Sequence, residues 1–481
     1  MALVVSLAMT ALRHVEAVRS LDRSVSDVIM RELARERLAD VQSEKSVRYV
    51  FINVGEATCR IWAKARGEAC ATGFATPRDE LVEMLKALAS ANAGRTPMKL
   101  VVLDVELAPQ VGDKASDTDK LLCAETYSIA KSIPVLAVRP VVSEASNPAR
   151  PVAQAYPSIF DDSKCSPDAS PSSHPDLWFA SPLLQPDPDN VVRSVYAWHL
   201  MRGDTPAAAR RISGFGLLGA ALMDAKVDRS GLACLFPASR PGSSAKCEAK
   251  PLNVANHVYE PSDNDDLSVL RILFSLPSDP GSAVTAAYSY APFVFQTIEA
   301  DELQQRLSEN LSLLDGAVVV IGGGYAASGD LHATPLGLRM PGAMVHANAI
   351  RAIASGTLVD EYQGWAWELL LIGLASSIGA VFHVAGHQAH ERLRSPVNHI
   401  AKLVLAALAI VVTILAVFFL GAVHAFSSLA AGTAIAVMSP IIAVAFEGMS
   451  SILQVIREAL SAALTWVEAI GSRPHIPPAS E

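Results

Sequence analysis

From Leu403 to Phe446 the chain runs for 44 residues without one Asp, Glu, Lys or Arg, and His424 is the only ionisable side chain in that run. A bilayer core is crossed by about 20 apolar residues, so a run of this length predicts two membrane spans rather than one. The turn between them is expected around His424-Ala425-Phe426-Ser427-Ser428, where polarity rises and an aromatic ring can sit at the interface. A third span is expected ahead of this pair, from Leu369 to Phe382, with Trp365 and Trp367 at its leading edge and Glu368 within reach of headgroups. The competing reading of the charge-free run is a helical hairpin buried in a large soluble protein.

Orientation follows from the basic residues. The segment from Gly386 to Lys402 carries Arg392, Arg394 and Lys402 against Glu391, which predicts a cytoplasmic loop. Residues up to Gln363 then lie outside, and the tail from Glu447 lies inside. The first residues, MALVVSLAMTAL, are apolar but too few to cross a bilayer, and they lack the basic flank of a signal peptide. Residues 1–20 are read as part of a truncated membrane anchor, an ordinary amphipathic helix being the alternative. All six cysteines precede the spans, which suits an oxidising compartment. Cys59/Cys70 and Cys234/Cys247 are the nearest local pairs, although six cysteines allow fifteen pairings and free buried thiols remain open.

The segment before the spans reads as alternating strands and helices. Tyr49–Val54, Leu100–Asp104 and Pro134–Val138 are short apolar runs of the buried-strand type. Between them, Thr76 and Pro77 suit the cap and first position of a helix carrying Leu81, Leu85 and Leu88 on one face, and Thr118–Ser132 reads as a second helix. Such alternation predicts an α/β domain with a parallel-rich sheet covered by helices, followed by an all-α unit of three transmembrane helices. The expected domain spans residues 21–363, with loops or insertions near 140–188 and 235–266, where Pro, Ser and Asp are dense. The spans occupy 364–446 and a tail 447–481. Strand signal returns at Leu270–Leu276 and is strongest at Ala317–Ile321, followed by Gly322-Gly323-Gly324, then Gly329-Asp330, His332 and Thr334-Pro335. Pro341 suits the start of a last helix and Gly356 its C-terminal cap.

This succession of strand, glycine turn, Asp, Thr-Pro, Pro341-Gly342 and His346-Ala347, placed before a span, resembles the type-two CHASE domain. That family is an extracytoplasmic sensory module of bacterial cyclases and histidine kinases. Leu21-Asp22-Arg23, Thr76-Pro77-Arg78, Leu100–Leu107 and Asp187-Pro-Asp189-Asn190 before Arg193 are similar to its earlier landmarks. The resemblance covers roughly residues 15–385 and includes three C-terminal spans. The chain departs from the pattern in having no Trp-Pro before the first helix and Asn190 where the Asp-rich turn has Gly. Only a short tail follows the last span, with no cyclase, kinase or phosphatase sequence in it.

The glycines after the strand can bring backbone amides to an anionic ligand, or can simply make a tight turn needing positive φ. Their spacing is not that of a nucleotide-binding loop. Asp330, His332 and His346 can converge as two imidazoles and a carboxylate, a set found in some metal sites, or can serve as structural hydrogen-bonding groups. Candidate ligand-binding residues are therefore Gly322, Gly323, Asp330, Thr334 and His346. No catalytic residue, resident metal or cofactor is assigned. His383, His387, His390 and His399 flank the cytoplasmic loop, where contact with anionic lipid is expected. The tail from Ile452 to Ile470 has the spacing of an amphipathic helix suited to helix–helix contact, self-association included. A net charge of −9 argues against nucleic acid as a partner.

The reading is a non-enzymatic sensor or scaffold of the bacterial inner membrane. It would detect an unknown extracytoplasmic signal and relay it through three transmembrane helices to a separate cytoplasmic signalling or effector protein. The second reading is a membrane-tethered extracytoplasmic metal-dependent hydrolase using Asp330, His332 and His346. An 18% charged content beside 51% hydrophobic residues fits either, since both place the apolar excess in the spans.

Overall fold

Six short segments, five of them almost wholly apolar, line up as one parallel sheet. In the computed structural model their order is Phe295–Glu299, Tyr49–Val54, Val318–Gly323, Leu100–Asp104, Val135–Val138 and Leu177–Ala180, with every pairing parallel. The structure describes residues 20, 23–32, 34 and 47–361 with breaks at 72–73, 94, 110–114, 144–152, 162–164, 166–175, 203–209, 241–249, 261–266, 277–294 and 338, together with 433–434. The expected N-terminal anchor, the three spans and the tail thus fall almost wholly outside the described residues. Among the described residues no helix is long and apolar enough to cross a membrane. Met30–Asp360 is a compact unit of its own.

Side chains alternate across the sheet, and both faces are covered, which is why the inner strands show no regular polar alternation, whereas the edge strand Phe295–Glu299 carries Gln296 and Thr297. Val50, Ile52, Val101, Leu103, Val319 and Ile321 pack into one core with helices Glu56–Ala65, Arg78–Asn92, Asp117–Ala130 and Leu303–Glu309. Tyr49, Phe51, Leu100, Val102, Val318 and Val320 pack into the other core with helices Phe215–Met223 and Gly342–Ala354.

The helix ends follow local chemistry, with one correction. Helix Asp117–Ala130 starts with a capping box, Ser116 and Asp119 each bonding the other's backbone. Thr76 is not the cap of the preceding helix: that helix begins at Arg78, and Pro77 takes the cap position without a side-chain bond. The last helix, Gly342–Ala354, ends as expected, with Gly356 left-handed at φ 66°. The Gly356 amide bonds the Ile353 carbonyl at 3.1 Å and the Thr357 amide bonds that of Ala352 at 2.8 Å, the Schellman closure.

Two regions expected to be loops carry sheet. Within 140–188, Leu177–Ala180 is the edge strand of the parallel sheet, and Val141–Ser143, Ala153–Ala155 and Leu184–Pro186 belong to a second sheet. Within 235–266, Leu252–Val254 and His257–Tyr259 form a hairpin. The second sheet is organised by Val192–Arg202, which pairs with Ala153–Ala155, Leu184–Pro186, Arg210–Ser213 and Leu267–Arg271. The expected strand at Leu270–Leu276 is displaced towards the N-terminus, ending at Arg271.

Cys59 and Cys70 form a disulfide, as their closeness in sequence suggested. A second joins Cys123 to Cys165 across 42 residues, a pairing that local spacing does not reveal. Cys234 is disulfide-bonded as well, while Cys247 lies outside the described residues.

Candidate functional site at the carboxyl edge of the sheet

Three strands of the sheet carry a polar residue at or next to their carboxyl ends, and the parallel register sets these in one row. Glu299 pairs with Asn53, Asn53 with Gly322, and Gly322 with Asp104. Partners across a parallel ladder point to the same face, so a polar row crosses the carboxyl edge. This edge is where open α/β sheets place their sites, at the point where the strand order changes direction. Here the switch falls around Val318–Gly323, the last strand in sequence, which inserts between Tyr49–Val54 and Leu100–Asp104.

At one end of the row Asn53 Nδ2 donates to Glu299 Oε1 at 2.8 Å, and the Thr58 hydroxyl donates to Glu299 Oε2 at 3.2 Å and also to Asp301. At the other end stand Asp104, Asp330, His332 and His346. Asp330 comes from the turn made possible by Gly329 at φ 74°. Its carboxylate oxygen Oδ2 accepts the Gly342 amide at 3.1 Å, its backbone carbonyl accepts the same amide at 2.9 Å, and Oδ1 meets His332 Nε2 at 2.9 Å. Asp330 therefore seats a negative charge on the first turn of helix Gly342–Ala354, where the helix dipole favours it. One turn into that helix, His346 Nε2 lies 3.9 Å from Asp104 Oδ2, and its ring packs on Phe215 with centroids 4.5 Å apart.

Electrostatics divide these four groups into a rim and an interior. Side-chain exposure is 42% at Asp330 and 29% at His332, against 9% at Asp104 and 4% at His346. Burial holds the His346 imidazole neutral down to a pKa of about 4, with His332 adding to the depression while the Asp330 carboxylate and the Pro182 carbonyl oppose it. Burial also pushes the Asp104 carboxyl well above the usual carboxylate range, and the neighbouring Asp330 charge pushes the same way.

Of the residues singled out in the sequence, Asp330, His332 and His346 are brought together, and Thr334 is buried at the turn where its carbonyl accepts the Gly337 amide. The glycines do something other than expected. Neither Gly322 nor Gly323 has positive φ. Gly322 faces the last helix, and a Cβ there would stand 2.3 Å from that of Ala343, so glycine is needed for close packing of helix on strand. Among the described residues no three His, Cys, Asp or Glu side chains are placed to hold a metal ion. Asp104, buried beside His346, was missed. Its signal was the polar residue closing an otherwise apolar strand, with Asn53 next to the end of Tyr49–Val54 and Glu299 at the end of Phe295–Glu299 beside it.

The supporting shell is fully engaged. Asn348 accepts the Ser275 and Leu276 amides at 2.8 and 2.7 Å and donates to the Leu276 and Met344 carbonyls. Arg193 is clamped by Asp187 at 2.7 Å and by both oxygens of Asp189 at 2.9 Å. Asn190 takes the left-handed φ of 62° that the expected glycine would supply, which Asn tolerates better than most residues.

The chain matches the CHASE2 domain family over residues 2–381, and so belongs to the CHASE2 domain proteins, whose shared module is an extracytoplasmic sensory domain. No curated protein and no solved structure matches it.

Proposed function

We propose that the protein is a sensor of the bacterial inner membrane whose Met30–Asp360 unit meets a signal outside the cytoplasm. Three C-terminal spans would pass the response to a separate cytoplasmic signalling or effector protein. The observation that carries this reading is the position of helix Gly342–Ala354. Its first turn is seated on the polar cluster, and its capped end at Gly356 leads to the expected first span at Trp365. A change at the cluster thus acts on the last helix that precedes the expected first span in sequence, and a signal that favours one seating of the helix over another shifts the population between them. Gly322 packs against the first turn of this helix and Gly323 faces the other side of the sheet, Thr334 closes the turn that follows Asp330, and Asp330 and His346 are the groups on the seat that can meet a ligand or a proton.

The test is topological. A reporter active only in the cytoplasm is fused after Glu481 of the full chain, and one active only outside is fused after Gln363. Both should give signal in intact cells. Signal from an outside-only reporter at Glu481, or none from it at Gln363, overturns the relay.

A further inference from the structure

We propose that Asp104, Asp330, His332 and His346 form a proton-responsive latch that holds the first turn of helix Gly342–Ala354 on the sheet edge and releases it when the cluster loses a proton. The proposal takes its purpose from the sensor reading, but its test is independent of any signalling output.

The geometry supplies a path and a load. Asp330 and His332 stand at the solvent rim, and Asp104 and His346 stand behind them, so a proton on the Asp104 carboxyl leaves to water over partly exposed groups. The load is the helix itself. Asp330 holds the Gly342 amide through both its backbone carbonyl and its carboxylate, so moving Asp330 outward loosens the first turn.

Surrounding elements offer little to buffer the change. Helix Phe215–Met223, strand Val318–Gly323 and segment 272–276 contain no ionisable side chain. Pro182 presents only a carbonyl to His346. Arg339 of the adjoining hairpin is exposed, Arg351 lies over the Tyr49 ring, and Arg193 is clamped by Asp187 and Asp189. While Asp104 is protonated, the one carboxylate among the described residues that faces the first turn is Asp330, which Gly342 and His332 satisfy. Ionising Asp104 places a second carboxylate beside it in a poorly solvated site, where like charges repel strongly. Asp330 is the more exposed of the two and is the one free to swing away. The buried pair of Asp104 and His346 retains its proton in acid, so the latch is closed at low pH and opens as pH rises.

The experiment is hydrogen–deuterium exchange on the full chain in lipid, scanned from roughly pH 5 to 9 and corrected for the intrinsic dependence of exchange on pH. In the parent, protection of the amides at 342–346 should fall about tenfold or more towards alkaline pH, a change of about 1.4 kcal/mol. Asp104→Asn keeps the side-chain shape and cannot ionise, so its protection should be flat. Asp330→Asn removes the repulsion and should be flat as well, which carries the test if Asp104→Asn fails to fold. Protection across Val318–Gly323 serves as the folding control. A flat parent profile, or equal losses in the parent and in the folded variants, overturns the latch. Failure of the topology test with a pH-dependent first turn would sink the relay alone.

Discussion

The two faces of the parallel sheet are built from the same strands yet solve burial differently. On the face covered by helices Arg78–Asn92 and Asp117–Ala130, the buried charges are matched. Arg78 pairs with Asp119 at 3.2 Å and also donates to the Glu106 and Ala108 carbonyls. The disulfides Cys59–Cys70 and Cys123–Cys165 tie down the same side. On the face covered by helix Gly342–Ala354, a carboxyl and an imidazole are buried with their charges suppressed rather than paired. The first arrangement fixes one structure; the second makes structure depend on protons. A sheet whose ends must do different jobs can keep one side rigid as the reference against which the other moves.

The largest effects should come from breaking the rigid side. Replacing Arg78 by Met leaves Asp119 as a buried charge without its partner, at a cost of about 3–5 kcal/mol. Replacing Cys123 and Cys165 together by Ala frees a loop of 42 residues, for which the chain-entropy account gives about 4 kcal/mol. Both are read as lowered midpoints in denaturant unfolding followed by tryptophan fluorescence, Trp62, Trp178 and Trp198 all being buried. If either variant unfolds at the parent's midpoint, the matched face is not the rigid one.

The suppressed charges give the next test, through opposite slopes with pH. His346 is depressed from 6.5 to about 4 in the folded chain, so alone it contributes stability that is present above pH 6.5 and lost as pH falls towards about 4. That loss totals about 3 kcal/mol at 1.36 kcal/mol per unit. Asp104 is raised, so its contribution is complete below the ordinary carboxylate range and is lost as pH rises through its folded value. Where the two windows overlap, the folded pair holds one proton on Asp104 and the unfolded pair holds one on His346. The counts are equal, and the pair adds no slope. Asp104→Asn should therefore make stability fall with acidification relative to the parent, and His346→Gln should make it fall with rising pH. Unfolding midpoints measured between about pH 4.5 and pH 6.5 decide this. Slopes of the same sign in the two variants would show that the pair does not share a proton.

How much of this was legible depends on what the sequence pattern encodes. Tyr49–Val54 and Leu100–Asp104 were readable because a strand buried on both faces is a short apolar run, and Gly356 was readable because only a left-handed cap puts glycine there. Val192–Arg202 was not, because Arg193 and His199 interrupt its apolar run although both are buried. Leu177–Ala180 was hidden by the Pro- and Ser-rich stretch ahead of it. The grouping of Asp330, His332 and His346 was within reach, being nearly local in sequence. Asp104 joins them only through the register that sets it beside Gly322, and register between strands over two hundred positions apart is not written in either strand alone.

The smallest expected effects separate the two faces within one strand. Gly322 and Gly323 are neighbours, so their side-chain directions are opposed: Gly322 looks to helix Gly342–Ala354 and Gly323 to the disulfide-tied face. A Cβ at Gly322 would overlap that of Ala343, backed by the helix itself, and the helix has to lift to admit it. Overpacking of that kind costs about 1–3 kcal/mol. A Cβ at Gly323 would meet the edge of the Tyr325 ring at 3.4 Å, an ordinary contact, with backbone that any residue adopts. Gly322→Ala should therefore lower the unfolding midpoint and speed exchange at 342–346, whereas Gly323→Ala should shift stability by no more than about 0.5 kcal/mol. Equal effects would mean that the strand end does not distinguish its faces. If Gly322→Ala alone also shifts the pH at which the first turn opens, the seat of the helix and the proton cluster are one device, since the alanine adds no charge and can act only by moving Gly342 away from Asp330.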